Sequence, residues 1–328
     1  MLALMLRSLV METKTAVLLI VFNRPELALN VLAAIRKYRP SRLYIACDGA
    51  RKDVEGESQV VLKTRESVLS AIDWECDVKT LFQEQNLGCG LGPSTAISWL
   101  FSSEEKGIIL EDDCIPQLPF FDYCHRLLDK YEDNQRVWMI SGRSIYQGKR
   151  FFKNSDYIFS FFPHTWGWAT WRRAWSKFDI TMSEWPGFYK QGGYKNLLFF
   201  KPSALFYNWH YNALYKRGNF QSHIWDYQFC LTIAANGGLG IVPSKNLVEN
   251  VGYDGVHYSG ITWLQKCKSV SDYEIRREPS VVLPDRNYER YSFCVLVYGK
   301  ILNVVTRFFR KIAAKLMPQK APVGSLNE

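Results

Sequence analysis

Lys106-Gly107-Ile108-Ile109-Leu110 is a short apolar run that ends in three consecutive carboxylates, Glu111-Asp112-Asp113, followed by Cys114-Ile115-Pro116. An apolar run of this length between Gly and Pro reads as a buried strand of a parallel sheet. Like charges side by side at the mouth of such a sheet repel one another and lose hydration. They persist there when a divalent cation or a set of donors satisfies them. Two readings fit these residues: a metal–diphosphate site, in which Mg²⁺ or Mn²⁺ takes carboxylate oxygen and shares its other positions with water and phosphate, or a solvated acidic turn.

The flanking sequence repeats a strand–helix unit. Thr15 to Phe22 is nearly all apolar, and Pro25 opens an amphipathic helix to Tyr38, a comfortable place for Pro in a first turn. Arg42 to Cys47 is a second strand, Val54 to Ile72 has helical spacing, and Val78 to Phe82 is a third strand. Asn86 to Pro93 reads as a glycine-rich turn before a helix over Ser94 to Phe101. Beyond the acidic strand come a helix, Phe120 to Tyr131, and a strand, Val137 to Ser141. This alternation predicts an α/β fold whose mostly parallel sheet has helices on both faces and holds ligands outside the strands' carboxyl ends. Asn23, Asp48, Asn86 and Glu111 to Asp113 all fall on that edge. No GxxxxGK[ST] loop occurs, and Gly88-x-Gly90-x-Gly92 has neither the spacing nor the downstream acid of a dinucleotide fingerprint.

From Phe151 to Tyr227 the chain turns aromatic. Density of this kind is usual in a core, and it is also how a cleft holds the apolar faces of sugars. Trp166-Gly167-Trp168 is a candidate wall, with Gly admitting close approach of backbone. Asp226 lies among aromatics at the start of an apolar helix, where desolvation suits a general base and the helix dipole suits a structural carboxylate. Asn246 to Val251 reads as a strand leading to a Gly-rich loop with His257, a structural hydrogen-bonder or a metal ligand that folds back.

The balance of 41 Lys and Arg against 32 Asp and Glu, +9, suits anionic partners in general. The eight Cys form no CxxC pair and no metal spacing with His, so reduced thiols in a cytoplasmic protein are expected. Met1 to Val10 is apolar but too short to span a bilayer, and Met11 is a second candidate start. No later apolar stretch reaches the roughly 18 residues a spanning helix needs. Leu302 to Met317 sets Val304, Val305, Phe308, Phe309, Ile312 and Leu316 against Arg307, Arg310, Lys311 and Lys315. That is a basic amphipathic helix fit for the inner face of a membrane, for a partner, or for packing on the domain itself.

Val21-Phe22-Asn23-Arg24-Pro25, Ala46-Cys47-Asp48-Gly49, Gln85-Asn86-Leu87-Gly88, Glu111-Asp112-Asp113, Trp166-Gly167-Trp168 and Trp225-Asp226-Tyr227 follow one another in an order that resembles the GT-A nucleotide-sugar glycosyltransferases. Within them it is similar to bacterial relatives of the N-acetylglucosaminyltransferase that begins N-glycan branching. The resemblance spans about residues 15 to 260. It implies a Rossmann-like GT-A sheet, a UDP-sugar or other nucleoside diphosphate sugar as donor, and a glycan or lipid-linked glycan as acceptor. Phe22, Asn23, Arg24, Asp48 and Asn86 would contact the nucleotide, and Glu111 and Asp112 the ribose and donor sugar. Asp113 would bind Mn²⁺ or Mg²⁺, joined by His257. Asp226 would be the base, with Trp166, Gly167, Trp168 and Trp225 lining the acceptor site. Tyr227 stands where the relative has a second carboxylate, so the base role falls to Asp226 alone. The chain then divides into an extension over 1–14, a nucleotide-sugar half over 15–145, an acceptor half of the same domain over 146–285, and a basic helix and tail over 286–328.

Two other classes compete. Sugar nucleotidyltransferases need a basic Gly-rich loop after the first strand, which Phe22-Asn23-Arg24-Pro25 does not provide. A basic, aromatic-rich nucleic-acid binder fits the charge but leaves the acidic triplet unexplained, so no nucleic acid is expected as partner.

Overall fold

Three of the first four strands carry side chains that are mostly apolar and buried on both faces, so each must lie between two layers of helix. The structure, a computed structural model, describes residues 14–218, 224–252 and 267–298. Strands β1 (Ala16–Val21), β2 (Arg42–Cys47), β3 (Asp77–Phe82) and β4 (Lys106–Glu111) run parallel in the order β3-β2-β1-β4. Val17, Leu19, Val21, Ile108 and Leu110 enter one core cluster, and Ala16, Leu18 and Ile109 enter the other, as the two-residue pleat requires. Helices α1 (Pro25–Tyr38) and α2 (Glu57–Ser70) cover the first face. Helix α3 (Gly88–Ser103) covers the second with Ala96, Ile97, Leu100 and Phe101.

Beyond β4 the same sheet continues through β8 (Trp168–Trp171), β6 (Val137–Ser141), β9 (Leu239–Pro243) and β7 (Tyr157–Ser160). Strand β8 is antiparallel to both β4 and β6, and β7 is antiparallel to β9. These two strands were not anticipated in the aromatic stretch, because side chains such as Trp168 and Trp171 are buried on both faces and leave no polar alternation to read. The result is a Rossmann-like GT-A sheet of eight strands, mostly parallel, with helices on both sides. Helix α4 (Leu118–Lys130) joins the first face, and the short α5 (Arg172–Trp175) follows β8. Helices α6 (Trp185–Lys190) and α7 (Lys201–Arg217) build an aromatic layer, α8 (Asp226–Ala235) packs on the second face, and residues 286–298 form α9.

One boundary departs from expectation. Asn86 to Pro93 is not a turn before the helix, because α3 already begins at Gly88 and contains Pro93. Its first amides are satisfied from outside: the Asp48 carboxylate accepts the N–H groups of Leu87 and Gly88 at 2.9 and 3.0 Å. A carboxylate supplied by the neighbouring strand end substitutes for a local cap and lets the helix start among glycines.

Candidate functional site

The acidic strand end is organised by a guanidinium. After β4 the chain turns back as β5 (Cys114–Pro116), which pairs antiparallel with β10 (Val248–Asn250) and brings Asn250 beside the turn. Arg24, at the N-terminus of α1, donates to both Asp112 oxygens and to Asp113 Oδ2, the last at 3.0 Å. Asp113 Oδ1 accepts from Asn250 Nδ2 at 3.1 Å and from the Cys114 thiol at 3.3 Å. Gly252 lies two residues beyond Asn250, and a Cβ there would collide with the Asp113 carboxylate. Burial alone would lower the affinity of Arg24 for its proton, but Asp112 and Asp113 reverse that and hold it charged.

One guanidinium does not balance three carboxylates. Burial, with opposition from Arg24, lifts Asp112 to about 6. Glu111 rises to about 8 through burial and then the charges of Asp113, Asp112 and Asp226. The pleat explains the last of these: Glu111 shares a face with Ile109, the face that α8 covers, and Asp226 is the first residue of α8.

All seven residues expected at the nucleotide, Phe22, Asn23, Arg24, Asp48, Asn86, Glu111 and Asp112, line one cavity of about 400 Å³ at the strand ends. Several of them also build its walls. Asp48 takes four donors, the N–H groups of Gly49, Leu87 and Gly88 and the Asn86 amide. Burial outweighs them and keeps its carboxyl above the usual range. Asn86 also donates to Gly49 O at 2.8 Å, and Asn23 donates to Glu57 at 2.9 Å. Arg51, which sequence reasoning missed, lines the cavity, pairs with buried Glu57 and sits 5.8 Å from the centre of the Phe22 ring. Its position three residues after Asp48, on the same strand edge, was the available signal.

Asp226 lines a second cavity, of about 310 Å³, with Arg143, His164, Trp166, Tyr207 and Tyr211. The Arg143 guanidinium lies 3.4 Å from the centre of the Trp166 ring and covers one of its faces. Burial lowers Arg143 to about 10, and burial with the Arg143 charge lowers His164 to about 3, so the imidazole is neutral. Its Nε2 is buried with no hydrogen-bond partner in the structure. Neither residue was foreseen, although Arg143 follows β6 on the same sheet edge as the rest.

The aromatic wall needs correction. Trp168 and Trp225 are buried and stack on each other at 5.6 Å, with Trp175 and Phe229 against them. Rings enclosed in this way have no face for a ligand. Gly167 serves the backbone: its φ is +62°, and a Cβ there would stand 2.6 Å from Val248. Of the four residues assigned to the wall, Trp166 alone lines the second cavity.

Asp113 and Glu111 are hard oxygen donors, and the raised Glu111 marks an excess of negative charge that a cation would relieve. Among the described residues no three His, Cys, Asp or Glu side chains form a metal cage. The set fits an ion of the Mg²⁺ or Mn²⁺ kind that uses one or two carboxylates and completes its shell with phosphates and water. His257 and the whole of the predicted helix over Leu302 to Met317 lie outside the described residues. Among those described, no helix is long and apolar enough to cross a membrane.

No protein-family model matches this sequence, and no curated protein is similar to it. Solved structures overlap about half of the chain. HddC from Yersinia pseudotuberculosis is 10% identical over 49% of this chain and 78% of its own, with a TM-score of 0.31. The glycosyltransferase GlyE of Streptococcus pneumoniae TIGR4 is 14% identical over 50% of this chain and 36% of its own, with a TM-score of 0.28. A UDP-glucose pyrophosphorylase complexed with UDP-glucose is 9% identical over 52% of this chain and 80% of its own, with a TM-score of 0.30. Overlaps this shallow leave the chemistry to the chain's own residues.

Proposed function

We propose that this chain is a divalent-metal-assisted glycosyltransferase that moves a sugar from a nucleoside diphosphate, UDP as first choice, to an acceptor hydroxyl of a glycan or lipid-linked glycan. The observation that carries the reading is Glu111 at the end of β4: it lines the first cavity with Asp112, and it feels the charge of Asp226, which lines the second. In this reading the nucleotide lies in the first cavity against Phe22 and Asn23, with Arg24 and Arg51 toward its phosphates. A divalent ion on Asp113 would neutralise the charge of the departing diphosphate.

The acceptor lies in the second cavity, its apolar side toward Tyr207 and Tyr211. Asp226 removes the proton of the attacking hydroxyl as its oxygen bonds to the sugar's C1 and the C1–O bond to diphosphate breaks. A single displacement of this kind inverts the anomeric centre. Incubation with a panel of nucleotide sugars, reading UDP release, tests the proposal. Asp226→Asn and Asp113→Asn should each lower transfer at least 100-fold with melting temperature unchanged; unaltered turnover in either removes that residue from the mechanism. Nucleoside triphosphate made from sugar nucleotide and pyrophosphate would instead assign nucleotidyl transfer.

A further inference from the structure

The second cavity is bounded on one side by α7 and α9, through Phe206, His210, Ser292 and Leu296. The same two helices join through an aromatic seam that holds buried Phe293 and reaches the protein's surface. Phe200 and Phe206 each pack on Phe293, at 5.8 and 5.6 Å, and Phe206 contacts Trp209 at 6.1 Å. Large apolar side chains stand out from it into solvent: Trp209 is 66% exposed, Phe199 60% and Leu205 56%. Cations are laid over this surface. The guanidinium of Arg286 lies 3.7 Å from the centre of the Phe199 ring, that of Arg290 lies 5.3 Å from the Phe200 ring, and exposed Lys201 opens α7.

Exposed Trp and Phe flanked by Arg and Lys are what an anionic bilayer surface selects. The rings partition to the depth of the headgroups, and guanidiniums stacked on them reach the lipid phosphates. A second copy of the chain suits the face poorly, because a two-fold contact would bring the same positively charged patch of each copy together.

We infer that the face formed by α7 and α9 docks on an anionic lipid bilayer, so that the Asp226 cavity, which these two helices bound, lies next to the headgroups and receives its acceptor from the membrane. The second half of this statement rests on the acceptor reading of that cavity; the docking itself does not. The face also leads, through α9, into residues 299–328, whose sequence carries the basic amphipathic pattern of Leu302 to Met317.

Flotation of the full chain with vesicles of phosphatidylcholine containing phosphatidylglycerol, against phosphatidylcholine alone, tests the inference. The wild type should float with the anionic vesicles only and be released by high salt. The double variant Trp209→Ser, Phe199→Ser should bind at least tenfold more weakly with melting temperature unchanged, and Arg286→Gln, Arg290→Gln should lose the preference for anionic lipid. Asp226→Asn should bind like wild type, which separates docking from catalysis. Equal flotation of the wild type and the Trp209, Phe199 variant would overturn the inference. So would a wild-type dimer that ignores vesicles and is dissociated by that variant.

Discussion

Arg24 is the cation that faces the acidic turn. It bonds to Asp112, whose side chain is 5% exposed, and to Asp113, at 16%, while itself being one-third exposed. Removing one partner of a buried pair leaves uncompensated charge, and solvent access at the guanidinium discounts that cost. Arg24→Met should therefore destabilise the protein by about 2 kcal/mol in denaturant unfolding, and Mn²⁺ with UDP should return part of the loss. A variant as stable as wild type, with or without ligand, would mean that the acidic turn needs no counterion. At this scale the sequence was legible where backbone chemistry fixes position, as with Asp48 and Glu111 to Asp113 at strand ends. It was illegible for the tryptophans: Trp166 lines a cavity and Trp168 is core, and two positions in one aromatic run differ only in what the other strands lay over them.

Two elements are held by carboxylates from elsewhere, and each makes a separate prediction. Helix α3 begins on Asp48, so Asp48→Ala strips acceptors from the Leu87 and Gly88 amides and should cost about 2 kcal/mol, seen as faster hydrogen exchange at the start of α3. Unchanged exchange there would show that the glycines cap themselves. Helix α9 is fastened by Glu289, whose Oε1 accepts the Phe161 N–H at 2.8 Å while Oε2 is buried without a partner. Burial raises this carboxyl from 4.5 to about 7. The folded state therefore binds more protons than the unfolded one between those values, and stability falls as pH rises through that window, by about 3 kcal/mol in total. Glu289→Gln should abolish that part of the slope between pH 5 and pH 7; a slope equal to wild type would assign it to other groups. The cap on α3 was hidden in the sequence because its donor and acceptor lie some forty positions apart, whereas α1 announced its start with Pro25.

For the whole molecule, the strand–helix repeat declared the parallel half of the sheet and its functional edge, since apolar runs and turn residues follow from local chemistry. The second half gave less away. Strands β7 and β8 run against their neighbours and are buried on both faces, so neither period nor order in the sequence marked them. The second half returns β10 to the end of β4, where Asn250 bonds Asp113, and brings Asp226 of α8 to the second cavity, whereas the first cavity is lined by residues 20–112 alone. Such contacts, between residues more than a hundred positions apart, are what a sequence pattern carries least. The proposed chemistry depends on a donor diphosphate and a cation meeting at that end. Titration calorimetry of UDP into the wild-type protein and Asp113→Asn, each with and without Mn²⁺, measures this directly. The account predicts binding to wild type at least tenfold tighter with Mn²⁺, and no metal effect in the variant; UDP affinity independent of Mn²⁺ in both proteins, or no UDP binding at all, would contradict it.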